Sequence, residues 1–263
     1  MRAQQSNNPV FQRSETLARA AQASYGFRPT PSADETAAVY GTPNRMTLDD
    51  IIVKTGILLG IIVVTGAAAW VLDLPVGLGL LAALVGFGLA MVNIFKKQVS
   101  PPLVLAYAAA QGVFLGTISH YYNTQFGGGI VVQAVLATGV VFAAVLAAYK
   151  SGRLRATPKF TKIVTIGLVS IIGLVLVNAL IGLFVGGDPL DLRSGGPVAI
   201  LVSLGLIVFG ALTFVLDFDQ ADRMVAAGVE ERESWRVAFG LVVGLVFLYL
   251  QILRMLSYLQ GRD

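Results

Sequence analysis

The chain has 263 residues, of which 56% are hydrophobic and 13% charged, with a mean hydropathy of +0.75; soluble domains carry about 25% charged residues, so this composition excludes a soluble globular protein. There is no cysteine, which excludes disulfides, thiolate metal sites and cysteine nucleophiles. The net charge of +4 comes from lysines and arginines in short connections between apolar runs, a pattern that sets membrane topology and does not point to nucleic acid.

Residues 1–45 are polar, contain Pro29, Pro31 and Pro43, and hold no apolar run. They are expected to form a disordered tail, and not a signal peptide, because no hydrophobic stretch follows a basic start. Thr47 and Asp50 are spaced like a capping box and mark the start of the first helix.

Seven spans follow, at 51–72, 75–95, 101–122, 130–149, 161–185, 198–216 and 235–258. Each has about the ~20 residues that cross the hydrocarbon, so residues 46–260 read as one all-α bundle of seven transmembrane helices. Basic residues crowd the tail (Arg45 and earlier arginines), the second connection (Lys96, Lys97), the fourth (Lys150 to Lys162) and the sixth (Arg223, Arg232, Arg236). The first and third have none, and the fifth has only Arg193. The positive-inside rule then puts the N-terminus in the cytoplasm and the C-terminus outside, in a multi-pass membrane protein.

Lipid tails give helices no hydrophobic reason to pair, so close backbone approach at small residues supplies the contact. Four glycine pairs have the required spacing: Gly56 with Gly60, Gly112 with Gly116, Gly182 with Gly186, and Gly240 with Gly244. The last lies on the seventh helix, which could therefore sit centrally.

Carboxylates are costly in hydrocarbon and mark functional sites by default. The sixth run stops at Leu216-Asp217-Phe218-Asp219-Gln220. If the helix continues, Asp217 and Gln220 share one face, while Asp219 shares another with Asp222 and Arg223. Asp217 then either faces the bundle or is an acidic helix end at the interface. Asp219, Asp222, Glu230, Glu231 and Glu233 read as a solvated face. On the seventh helix, Gln251 and Arg254 lie toward the outer end, where Arg254 snorkels to the interface. Lys54 snorkels to the inner interface, and Gln111 and Asn178, the deepest polar residues of their spans, bond neighbouring helices. His120 falls at the outer interface with no second ligand at metal spacing. No nucleophile elbow, zinc-protease, phosphate-loop or calcium-loop motif occurs, so neither an enzyme nor a bound cofactor or metal is expected.

Gln111-Gly112-x-Phe114-Leu115-Gly116, the aspartate ending the sixth span, and Leu248-Tyr249-Leu250-Gln251-Ile252-Leu253-Arg254 together resemble the Bax inhibitor family, the transmembrane Bax inhibitor motif proteins, in its bacterial branch. The resemblance covers about residues 46–260 and implies six helices around a central seventh. It also implies a pH-sensitive Ca2+ leak, closed when an aspartate of the sixth helix shares a proton with one of the seventh. Asp217 matches the first acid. The position of the second holds Gly244 or Gln251, depending on the register, so a paired-proton switch is not expected. The gate or ion pathway is therefore assigned to Asp217, Asp219, Gln220, Gly244, Gln251 and Arg254. The expected partners are the lipid bilayer, Ca2+ as permeating ion, and membrane proteins. The alternative is a non-conducting regulator that binds quality-control or stress-response partners through its tail.

Overall fold

A computed structural model describes residues 45–186 and 195–261. The tail expected over 1–45 lies outside these residues except for Arg45, as does Arg193. The helices are α1 (Leu48–Val71), α2 (Val76–Phe95), α3 (Pro101–Phe126), α4 (Ile130–Lys150), α5 (Pro158–Val185), α6 (Pro197–Ala226) and α7 (Ser234–Gln260), with a 3-10 turn at Glu231–Glu233 before α7. All seven are long and apolar enough to cross a membrane. The protein is an all-α, multi-pass membrane protein with no strand among the described residues.

Local chemistry starts and stops these helices. Thr47 caps α1 through a capping box: its Oγ1 accepts from the Asp50 amide, and Asp50 Oδ2 accepts from the Thr47 amide at 2.9 Å. α3, α5 and α6 each have proline in the first turn, where the missing N–H has no helical partner to lose. α3 ends at Gly127 with φ 90, a left-handed conformation that glycine adopts without steric penalty.

α1 packs closely on α3, while α7 packs on α1, α3, α4 and α6. α2 lies against α3, and α5 against α6. Gly112 and Gly116 make the α1–α3 contact, since a Cβ on Gly112 would stand 2.6 Å from the Ile62 carbonyl oxygen and one on Gly116 would overlap the Gly66 backbone. Gly56 and Gly60 face open space and bring no helix closer. α6 and α7 interlock reciprocally: the Phe214 ring fills the place of a side chain at Gly244, and the Phe247 ring does so at Gly210.

Candidate functional site

α6 does not stop where its apolar run stops. Residues 197–216 cover roughly 30 Å at 1.5 Å per residue, the thickness of the hydrocarbon. The helix then continues to Ala226 because Asp, Gln, Ala, Arg and Met are all compatible with it. Asp217 thus stands at the hydrocarbon edge on a rigid helix. The continuation separates the acids by face. Asp219 pairs with Arg223 at 2.7 Å and lines a cleft with Tyr149 and Lys150, where the Tyr149 hydroxyl donates to Asp222 at 2.7 Å.

Asp217 and Gln220 line a different space, a cavity of ≈660 Å³ between α2, α3, α6 and α7. Its other polar residues are Asn93, Tyr107, Gln111 and Arg236, and Gly240 contributes from α7. Gln111 lies over Gly86, where a Cβ would meet its Nε2 at 2.8 Å. Asn93 is only 3% exposed; its Nδ2 donates to the Leu89 carbonyl at 3.2 Å, and its Oδ1 is buried with no partner among the described residues. Arg236 is already engaged, by Glu233 at 2.6 Å and by the Lys97 carbonyl at 2.9 Å. Asp217 makes no side-chain hydrogen bond or ion pair among the described residues. The cavity therefore offers one carboxylate and free amide oxygens, the donor set that hard cations take.

The remaining candidates lie elsewhere along α7. Gly244 faces Phe214, one turn of α6 from Asp217, and this ring is fully buried against Phe142 and Phe218, at 5.0 and 6.3 Å between centroids. Gln251 stands roughly 16 Å beyond Gly240 along the helix, with its Oε1 buried and unpartnered among the described residues. Arg254 donates from Nε to the Tyr258 hydroxyl at 2.5 Å and lies over the same ring. The six candidates thus fall into three places: Asp217 with Gln220 in the cavity, Asp219 on the opposite face, and Gly244, Gln251 and Arg254 progressively further along α7.

Two expectations are corrected at this end of the bundle. Lys54 does not snorkel: it is 9% exposed and donates to Ser234 Oγ at 2.6 Å and Glu231 Oε1 at 3.0 Å, beneath the Trp235 ring. Glu231, partly exposed, is correspondingly held by Lys54 and not free on a solvated face, and Glu233 is held by Arg236. The α6–α7 connection is tied a second time, to the residues just before α1, by the Arg45–Glu230 backbone β-bridge and the Met46 amide, which donates to the Val229 carbonyl at 2.8 Å. At the other end of α1, His120 pairs with Asp73 at 3.1 Å and its ring lies 5.0 Å from that of Trp70.

Sequence reasoning passed over Asn93 and Phe214. A lone amide inside an apolar run was a usable signal at Asn93, as at Gln111. Phe214 carried no signal, since one phenylalanine among apolar residues does not announce which glycine it covers.

The family model described as Bax inhibitor 1 like matches residues 8–261. An uncharacterized protein of Chlamydia muridarum (strain MoPn / Nigg) is 31% identical over 157 residues, or 60% of this chain and 61% of that protein. The chain therefore matches less than two thirds of that relative's length.

Proposed function

The chain belongs to the Bax inhibitor 1 like family, and on that premise we propose that it passes cations, Ca2+ among them, through a pathway whose mouth is the Asp217 cavity. The observation that carries this reading is the unpartnered Asn93 Oδ1 in the same cavity as the unpaired Asp217. A single carboxylate with neutral amide oxygens binds a cation weakly enough to release it, as conduction requires. Phe214 against Gly244 is the closure, with Gln251 and Arg254 along the far half of the route and Asp219 beside the mouth. The α6–α7 end is the cytoplasmic face of a bacterial inner membrane, in line with the positive-inside distribution.

No acid of α7 is among the residues lining the cavity, so a proton shared between two aspartates is not part of the mechanism. Any pH response rests on Asp217 alone, and deprotonation, which creates the charge, favours cation entry. The same lone acid also favours a second reading, a non-conducting regulator that binds membrane partners through residues 1–45.

Purified protein in liposomes loaded with a calcium dye tests conduction. Asp217→Asn should lower flux by about tenfold, the scale of one lost charge interaction of 1.4 kcal/mol, and Phe214→Ala should raise it. Absence of flux from about pH 5 to about pH 8, or flux unchanged in Asp217→Asn, refutes it.

A further inference from the structure

α1 packs on α3 and α7, and α4 on α6 and α7, which leaves the flanks of α1 and α4 separated by a groove of ≈640 Å³ floored by α3 and α7. Its volume is that of a ligand site, about 300–1,000 Å³. Its walls are apolar: Leu59 and Val63 from α1, Val135 and Phe142 from α4, Leu245 and Tyr249 from α7. The depth comes from Gly139, which leaves the α4 wall without a side chain. From Thr55 to Val71 it runs roughly 24 Å along α1, long enough for one extended acyl chain.

The groove is continuous with the lipid-facing surface, since Val63 and Val135 on its rim are more than half exposed. A chain lying in it gains van der Waals contact on three sides, which the flat outer surface of a helix does not provide. The polar end is also specific. At Val71, the Trp70 ring lies tilted against that of His120, and His120 holds the exposed carboxylate of Asp73. The two connections that flank the groove at this end, residues 72–75 and 127–129, contain no lysine or arginine; Arg193, in the third connection at this end, lies outside the described residues. A headgroup ammonium is matched there, whereas a headgroup with only negative charge meets a carboxylate with no basic residue in either connection.

We infer that the α1–α4 groove holds one acyl chain of a phospholipid whose amine-bearing headgroup sits at Asp73. The test uses full-length protein, delipidated in detergent, with phosphatidylethanolamine or phosphatidylglycerol of identical acyl chains added, and bound lipid counted by native mass spectrometry. Wild type should retain one phosphatidylethanolamine, about fivefold more firmly than phosphatidylglycerol, and Asp73→Asn should erase that preference. Gly139→Phe should weaken retention at least about tenfold. A Cβ at Gly139 meets nothing within 4 Å, so the variant fills the groove without disturbing the fold. Gly88→Phe, equally open but on α2, should retain lipid like wild type. Three results would overturn the inference: equal retention in the two phenylalanine variants, phosphatidylglycerol held as firmly as phosphatidylethanolamine, or a lipid-free dimer that Gly139→Phe splits into monomers, which would make a second copy the occupant.

Discussion

Lys54 replaces water with three donor contacts to the turn before α7, at Ser234 Oγ, Glu231 Oε1 and the Glu231 carbonyl. Bonds to a charged group contribute about 1.5–3 kcal/mol each when their partners are left buried and unsatisfied by its removal, and Glu231 is only partly buried. Lys54→Met should therefore lower stability by about 2 kcal/mol, read as a drop in melting temperature in detergent; Lys162→Met, on exposed surface, should leave it unchanged. This contact was not legible in the sequence because the partners are 177 and 180 residues away, and a lone lysine one turn into a span equally suits an interface. That Asp217 and Gln220 share a face was legible in their three-residue spacing; whether that face turns to the bundle or to water was not. That Asn93 shares the cavity was not, because only packing shows it buried.

At the scale of the helices, equal spacing of small residues conceals different roles. Gly112 and Gly116 hold α1 and α3 at backbone contact, whereas Gly60 meets open space. Gly116→Ala should cost about 1–3 kcal/mol by overpacking. Gly60→Ala should instead stabilise by about 0.5–1 kcal/mol, through the entropy glycine loses in a helix. Thermal or denaturant unfolding of both in one detergent separates a packing glycine from an idle one, and a similar loss in both would refute the assignment. Hydropathy made the seven helices legible since each apolar run is long and interrupted by charge, by proline or, at 127–129, by three glycines. It did not determine how far α6 extends, because Asp217, Asp219 and Gln220 end a hydrophobic run without ending a helix.

For the molecule as a whole, the α6–α7 connection is fastened to the chain just before α1 by the Arg45–Glu230 backbone β-bridge and again to α1 by the Lys54–Glu231 ion pair. The chain has no cysteine, so Arg45→Cys with Glu230→Cys introduces one pair with no background. If opening the mouth moves this connection, oxidation should reduce Ca2+ flux several-fold and a reductant should restore it; flux indifferent to oxidation would mean that the connection stays in place. Deleting residues 1–40 divides the two functional readings. A conducting protein keeps its flux, whereas a regulator loses its partner in a crosslinking pull-down. Nothing in the chain's composition chooses between them, since a lipid-facing helix is equally apolar in either role.

The ring of Phe214 at Gly244 also constrains how this chain could be converted into one with a carboxylate on α7. Any side chain at 244 meets the ring at 2.8 Å from its Cβ, so Gly244→Asp alone is crowded, whereas Phe214→Ala opens the space and can come first. The two substitutions are therefore order-dependent. An evolutionary route between the one-acid and two-acid forms through position 244 is passable from the phenylalanine side and obstructed from the glycine side.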